Sequence, residues 1–337
     1  MKHSVILMPA PQSRSRIFAP ETWAALNDRF TVIDLEHDDR PESLDAALPE
    51  AFAVIGQPDL PRERLLRATS LRAVCNVEGN FFPNVDYQTC HELGIYVLGC
   101  GPAYAQAVSE HALGLALDLA RGISFEDRAF RAGTERYVAD GNTDAVLLAG
   151  SSIGLIGFGN LGRALLPLLR AFGADIRVHD PWLPDSALQD YGVTPASLDE
   201  TLRRSRLVFV LATVTAESEH LIGSRELDLL PDRARLVLVS RAAVADYDAV
   251  LARVADGRLL AGIDVWPEEP VPADHPARRL DGLVFSGHRA GGIPAAFADI
   301  GVRVLDDLTL IARGLPPVRM QVAARELVGR YRNRPVT

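Results

Sequence analysis

The segment from Ser152 to Arg163 constrains the fold more than any other part of the chain. An apolar run, Ser152–Ile156, leads directly into Gly157-Phe158-Gly159-Asn160-Leu161-Gly162, and a helical pattern follows to Phe172. In dinucleotide-binding domains the first glycine of this spacing permits a tight turn, the second lets the backbone approach a pyrophosphate, and the third lets the helix pack closely. We therefore predict that residues 157–162 bind dinucleotide phosphates at the amino end of a helix.

An acidic residue supports the same interpretation. Asp180 follows the next predicted strand, residues 175–179, roughly 20 residues after the first glycine. A carboxylate at this place accepts hydrogen bonds from a ribose 2′-hydroxyl and repels a 2′-phosphate, which favours NAD over NADP. The alternative is that Asp180 only caps the turn before Pro181 and that the glycines serve only a tight bend.

Composition sets wider limits. A chain of 337 residues, 48% apolar and 23% charged, is typical of a globular protein with two domains. Its net charge of −9 and its lack of a basic block argue against a nucleic-acid partner. No apolar stretch approaches the roughly 18 residues of a membrane span, and no signal-peptide pattern is present, so we expect a cytoplasmic protein that does not bind membranes. Three cysteines without metal-ligand spacing predict buried free thiols and no metal site.

Short apolar runs alternate with helical patterns along the whole chain, which favours parallel α/β sheets. The first series of predicted strands covers residues 5–8, 31–35, 53–55, 71–76 and 95–98. A second series of six covers residues 152–156, 175–179, 207–211, 236–240, 260–265 and 283–286. A long buried helix at 106–121 is expected between the two series, and an amphipathic helix at 295–313 after them.

Three polar residues follow strands of the second series. They are Arg241, Glu269 and His288. Because the carboxyl ends of parallel strands face the ligand crevice, we expect these side chains to meet there. Arg241 would bind a carboxylate and polarise a carbonyl, His288 would donate a proton to the developing alkoxide, and Glu269 would orient the imidazole. Taken singly, each residue also has a plain explanation: a solvated cation, a polar loop residue and a turn residue.

At these positions the chain resembles the D-isomer-specific 2-hydroxyacid dehydrogenases, and the resemblance covers nearly the whole sequence. The segments that carry it are residues 94–97, 107–113, 157–162 with Asp180, 215–218, 236–241, 263–270 and 286–291. The resemblance implies an α/β protein with two doubly wound parallel-sheet domains. A Rossmann cofactor domain, residues 103–293, would be inserted into a flavodoxin-like substrate domain, residues 1–102 with 294–337.

The resemblance also implies NAD as cofactor, a small 2-oxo or 2-hydroxy acid as substrate, and a homodimer held by the cofactor domains. Its implied catalytic residues are Arg241, Glu269 and His288. Its implied cofactor contacts are Gly157, Phe158, Gly159, Asn160, Leu161, Gly162, Asp180, Thr213 and Asp264. Its implied substrate contacts are Glu78, Gly79, Asn80, Arg241 and His288.

Several positions depart from the family pattern. Leu238 stands where Asn is usual, Ala242 where Gly is usual, and Gly287 where Pro is usual. Phe81 and Phe82 replace small residues of the substrate loop and are candidates for reshaping the substrate pocket. Glu269 argues against the formate dehydrogenases, which pair a Gln with the His.

Two other functions stay open from the sequence. One is an NAD(H)-sensing regulatory or corepressor-like protein with little turnover, and the other is a dehydrogenase of phosphite or another oxyanion. An intact Arg–Glu–His set favours an enzyme, because a sensor does not need an acid–base pair.

Overall fold

The computed structural model describes residues 2–38 and 40–332, which divide into two compact units. Unit 1 is built from the described residues of 1–105 and 292–337, and unit 2 from residues 106–291. Each unit has its own sheet of mainly parallel strands. The predicted fold class, two doubly wound parallel α/β sheets, is confirmed.

Unit 1 begins with five strands separated by helices. Its elements are β1 (His3–Met8), α1 (Arg14–Ile17), α2 (Pro20–Arg29), β2 (Phe30–Asp34), α3 (Pro41–Ala47), β3 (Ala51–Gly56), α4 (Arg62–Arg67), β4 (Ala73–Asn76), α5 (Tyr87–Leu93) and β5 (Tyr96–Gly99). All five strands fall on predicted positions. Strands β3 and β4 are buried along their full length, which explains their continuous apolar sequences.

The long helix α6 (Gly101–Arg121) starts five residues before the predicted helix and is followed by α7 (Ile123–Ala132). The remaining elements of unit 2 are β6 (Ser152–Ile156), α8 (Asn160–Arg170), β7 (Asp175–His179), α9 (Asp185–Asp190), β8 (Thr194–Pro195), α10 (Leu198–Arg204), β9 (Leu207–Val210), α11 (Ser224–Leu227), β10 (Ala234–Leu238), α12 (Tyr247–Ala255), β11 (Leu259–Ile263) and β12 (Leu283–Phe285).

The sheet of unit 2 has seven parallel strands in the order β12-β11-β10-β9-β6-β7-β8. The six predicted strands are confirmed, and the seventh, β8, was missed because it is only two residues long and contains Pro195. The strand order reverses between β6 and β9. In doubly wound sheets the ligand binds at the carboxyl ends of the strands at this reversal, so the geometry of this edge decides what the unit can bind.

The chain then returns to unit 1 through α13 (Pro294–Ile311), β13 (Gln321–Val322) and α14 (Arg325–Val328). Helix α13 packs on α1 and α2, and β13 pairs antiparallel with β5. The fully buried carboxylate of Asp307 accepts backbone N–H groups of Val318, Arg319 and Met320, which fixes the segment before β13. The sheet order is β13-β5-β4-β3-β1-β2, a flavodoxin-like order with one added strand.

The three cysteines are buried free thiols, as predicted. Burial raises the pKa of Cys90 to about 12 and also raises the pKa values of Cys75 and Cys100 above that of an ordinary thiol. Within residues 2–38 and 40–332, no helix combines the length and the apolarity that crossing a membrane requires. The same residues contain no cluster of His, Cys, Asp and Glu side chains arranged to hold a metal ion.

Candidate active site

The glycine-rich turn lies at the carboxyl end of β6, where the strand order of unit 2 reverses. Gly157 has φ +93°, and a Cβ there would lie 2.7 Å from the backbone nitrogen of Ala212, just after β9. A side chain at Gly159, which precedes α8, would meet no protein atom within 4 Å. The turn is therefore closed towards the protein and open above the amino end of a helix. This shape fits a pyrophosphate, which the helix amides can bind.

Other residues of the turn have more limited roles. A Cβ at Gly162 would lie 2.9 Å from the carbonyl oxygen of Gly157, so the helix packs directly on the turn. The ring of Phe158 is fully buried against Tyr191. The side chain of Phe158 therefore belongs to the core, and the predicted contact of Phe158 with the cofactor would involve its backbone.

Asp180 joins the glycine turn to the turn after β7. Its Oδ2 accepts the Phe158 backbone N–H at 2.7 Å, and its Oδ1 accepts the Trp182 N–H at 2.9 Å. Asp180 therefore does cap the turn around Pro181, as the alternative interpretation of the sequence expected. This capping does not exclude the cofactor role, because a carboxylate accepts about four hydrogen bonds and this one is partly exposed.

The remaining predicted cofactor residues of this edge lie near the same turn. Asn160 is the first residue of α8, and the Leu161 carbonyl accepts a hydrogen bond from the Ser109 hydroxyl at 3.2 Å. Thr213 lies in the loop after β9, where its carbonyl accepts the Ser218 hydroxyl at 2.6 Å. This bond shapes the loop that faces the glycine turn.

His288 and Glu269 form a direct pair. The imidazole Nδ1 lies 2.7 Å from the Glu269 Oε2, and both side chains are about one quarter exposed, at 27% and 29%. The other carboxylate oxygen accepts the Trp266 backbone N–H at 2.8 Å. Because the carboxylate engages Nδ1, the nitrogen that can exchange a proton with a ligand is Nε2. The predicted acid–base pair is thus brought together by the fold.

Asp264 holds the loop that carries His288. Its carboxylate is 1% exposed and accepts the Ser286 hydroxyl and the backbone N–H groups of Arg289 and Ala290. Its own carbonyl accepts the His288 N–H at 2.6 Å. His288 has φ +48°, a left-handed conformation that is unusual for a residue other than glycine and is maintained by these bonds. The Asp264 carboxylate also lies 3.6 Å from the His111 Nε2, and the Asp264 N–H donates to the Leu238 carbonyl at 3.0 Å. The predicted contact of Asp264 with the cofactor stays a prediction.

Trp266 is a residue of this site that sequence reasoning missed. Its indole N–H donates to the Ser286 carbonyl at 2.9 Å, and its ring stacks on Phe285. Through its backbone N–H it also binds Glu269, so one residue contacts both the loop of Glu269 and the loop of His288. The sequence feature that could have indicated this role is the position of Trp266 after β11, two residues beyond Asp264.

Arg241 lies directly after Ser240 at the end of the β10 segment. Its guanidinium donates to the Ser240 carbonyl at 2.6 Å and is partly buried. The two departures beside it are explained by packing, because Leu238 lies in the hydrophobic core of unit 2 and Ala242 packs against that core. Gly287, beside His288, is exposed and has no protein atom near the position of a Cβ.

The predicted substrate loop lies in unit 1, after β4. Glu78 is buried, and its carbonyl accepts the Cys100 backbone N–H at 3.0 Å. A Cβ at Gly79 would lie 3.4 Å from the Tyr104 ring, and Asn80 is partly exposed. These contacts hold the loop to the start of α6.

The two candidates for reshaping the substrate pocket, Phe81 and Phe82, are both buried in unit 1. Phe81 is 5% exposed and packs in the core of unit 1 against Tyr87 and Tyr331. Phe82 is 2% exposed, and its carbonyl accepts the Tyr87 hydroxyl. Their size fills the interior beside β5, which the sequence pattern of a loop did not indicate.

Comparison with known proteins decides the family. The model of the NAD-binding domain of D-isomer specific 2-hydroxyacid dehydrogenases matches residues 113–290. The chain belongs to this family. The cofactor of its unit 2 is accordingly NAD, and the cradle at Gly157 and Gly159 fits the dinucleotide.

Solved and curated relatives agree with the assignment. A phosphoglycerate oxidoreductase from Rhizobium etli is 43% identical, with a TM-score of 0.88, and covers 96% of this chain and 99% of its own. A D-3-phosphoglycerate dehydrogenase from Mycobacterium tuberculosis is 28% identical over 88% of this chain and 56% of its own length. A glyoxylate reductase from Thermococcus litoralis is 26% identical over 88% of this chain and 93% of its own. The chain spans about half the length of the curated D-3-phosphoglycerate dehydrogenases that it matches.

Proposed function

We propose that this protein transfers a hydride between NAD(H) and C2 of a small 2-oxo or 2-hydroxy acid. The observation that carries the proposal is the His288–Glu269 pair, joined at 2.7 Å in the same unit as the NAD cradle. A cofactor cradle alone is compatible with a sensor. A partly exposed imidazole with a carboxylate on Nδ1 is the arrangement that acid–base chemistry needs.

The residues divide the work of reduction as follows. Bound NADH supplies the hydride to C2 of the substrate. Arg241 binds the substrate carboxylate through its planar guanidinium. His288, protonated at the start, gives the proton on Nε2 to the carbonyl oxygen as the alkoxide forms, and Glu269 stabilises the imidazolium and keeps its orientation. In oxidation His288 starts neutral and accepts the hydroxyl proton.

The relatives suggest which acids to test first. Their names refer to phosphoglycerate and to glyoxylate, so the substrate panel should contain glyoxylate, pyruvate, hydroxypyruvate, phenylpyruvate and phosphohydroxypyruvate. We expect NADH oxidation with at least one of these 2-oxo acids. His288→Gln should lower its kcat by on the order of 10²–10⁴-fold while NADH still binds. Turnover of no 2-oxo acid, with NADH bound normally, would instead support the NAD(H)-sensing function.

Asp180 gives a second test of the site. Its position at the carboxyl end of β7 and its remaining acceptor capacity support a contact with the ribose hydroxyls. We expect wild-type kcat/KM to be higher with NADH than with NADPH. Asp180→Ala should narrow this ratio, because it removes a ribose acceptor and the repulsion of a 2′-phosphate. Equal efficiencies in the wild type would contradict the assignment.

We further propose that unit 2 binds the cofactor, that unit 1 supplies the substrate loop at residues 78–80, and that two copies associate through unit 2. Helix α7 has no buried residue, although it carries large apolar side chains: Ile123 is 59% exposed and Phe130 is 63% exposed. Leu147, in the segment after α7, is 69% exposed. Exposed apolar surface of this kind is typical of an interface. Phe130→Glu should therefore halve the mass measured by light scattering. Leu66→Glu, at an exposed leucine of unit 1, is the matched control and should not. A monomeric wild type would contradict the proposal.

A further inference from the structure

A groove of about 570 Å³ lies in unit 1, far along the sheet from the predicted substrate loop. Its walls come from the amino ends of β1 and β2 and from the carboxyl ends of α2 and α13. The lining residues are Lys2, His3, Arg29, Phe30, Thr309, Ala312 and Arg313. Strands β1, β3 and β4 are parallel, and the substrate loop follows the carboxyl end of β4. The groove and the loop therefore lie at opposite edges of one sheet.

The lining of this groove is strongly basic. Lys2, Arg29 and Arg313 carry three positive charges, and none of the seven lining residues is a carboxylate, although the whole chain has a net charge of −9. Like charges that line one groove repel each other, so a bound anion lowers the energy of the arrangement. Carboxyl ends of helices attract cations and so account for Arg29 and Arg313 separately. Lys2 belongs to no helix, but it donates to the Asn27 carbonyl in the last turn of α2, so a helix end accounts for it as well. What the helix ends do not account for is that three cations line one groove without a carboxylate.

The cationic side chains of the groove also have N–H donors that make no hydrogen bond within the described part of the protein. The Lys2 ammonium donates to the Asn27 carbonyl at 2.8 Å, and the Arg29 guanidinium donates to the Thr309 hydroxyl at 2.8 Å. An ammonium has three N–H donors and a guanidinium five, so most remain available to a ligand. Within the described residues, Arg313 makes no side-chain hydrogen bond or ion pair. The bond from Arg29 to Thr309 fixes one guanidinium between α2 and α13 in advance of binding.

We propose that this groove binds a phosphate monoester of a small molecule, at a site distinct from the one that transfers hydride. Guanidinium groups match the geometry of phosphate oxygens, and the groove volume lies in the range of about 300–1,000 Å³ that small-molecule sites occupy. The Phe30 ring and the Ala312 methyl group give the floor an apolar part for the organic moiety. A bound ester would connect β1, β2, α2 and α13, and so stabilise unit 1.

The test is calorimetric titration of the full-length protein with inorganic phosphate and with glycerol 3-phosphate at constant, low ionic strength. We expect binding of both, tighter for the ester. The double variant Lys2→Gln/Arg313→Gln should weaken it by about tenfold or more, as expected for lost charge-assisted hydrogen bonds. Both side chains are exposed, so the variant should unfold at the wild-type temperature without ligand.

Two control variants locate the site. Arg279→Gln removes an exposed cation of unit 2 and should leave binding unchanged. Arg241→Gln should also leave phosphate binding unchanged, although this substitution impairs hydride transfer. A failure of the groove proposal can therefore be distinguished from a failure of the proposed function. Lys2→Arg should retain affinity. The proposal is overturned if neither ligand binds at millimolar concentration, if the double variant binds as the wild type does, or if Arg241→Gln alone removes the binding. Tighter binding of inorganic phosphate than of the ester would overturn the assignment of the ligand class.

Discussion

Two glycines of one turn should respond to the same substitution in opposite ways. At Gly157 an alanine would have to adopt φ +93°, which costs about 1–2 kcal/mol, and its Cβ would lie 2.7 Å from the Ala212 nitrogen and 2.8 Å from the Ala212 Cα. Because both neighbours are backbone atoms, they can move only by shifting the end of β9. We therefore expect Gly157→Ala to destabilise the protein by about 2–4 kcal/mol in total. At Gly159 the added methyl group meets no protein atom, so stability should be nearly unchanged.

Cofactor affinity should fall in the variant whose stability is unchanged, Gly159→Ala. We propose that the pyrophosphate occupies the space above Gly159 at the amino end of α8. A methyl group there should then weaken NADH binding by about 10–100-fold, or about 1–3 kcal/mol. Thermal unfolding should show a fall in Tm of roughly 5–15 °C for Gly157→Ala and little change for Gly159→Ala. NADH fluorescence titration measures the affinity. Wild-type affinity in Gly159→Ala, or wild-type stability in Gly157→Ala, would refute the geometry of the cradle.

Three further predictions concern the catalytic loops and the thiols. Trp266→Phe keeps an aromatic ring but removes the indole N–H that donates to the Ser286 carbonyl. We expect kcat to fall about fivefold (~1 kcal/mol) while NADH affinity stays unchanged. An unchanged kcat in steady-state assays would show that Trp266 does not position His288. Glu269→Gln should lower kcat by about tenfold (~1.4 kcal/mol) with unchanged NADH affinity, because it replaces the charged acceptor that holds the His288 Nδ1; a wild-type kcat would contradict the pair. The three cysteines should resist a thiol reagent at mildly alkaline pH until the protein unfolds, because burial raises the pKa of Cys90 to about 12; rapid labelling of the native protein would contradict their burial.

Local sequence determined the strands, and it also named the residues of the proposed site. Apolar runs of three to six residues predicted every described strand except the two-residue β8 and β13. The glycine spacing predicted the turn after β6, because the backbone conformation at Gly157 excludes other residues. Arg241, Glu269 and His288 could be named in advance, since the carboxyl ends of parallel strands must meet at one edge of a sheet.

What the site residues contact was decided only by the tertiary structure. The sequence did not show that Asp264 holds the loop of His288 or that Trp266 donates its backbone N–H to Glu269. Phe81 lies in a segment with the sequence of a loop but packs in a core. The basic groove joins residues 2–3, 29–30 and 309–313. Periodicity and spacing describe neighbours along the chain. The contacts of Asp264 with Arg289, of Trp266 with Ser286 and of the groove residues join positions distant in sequence, and they form only when the sheets and helices are packed.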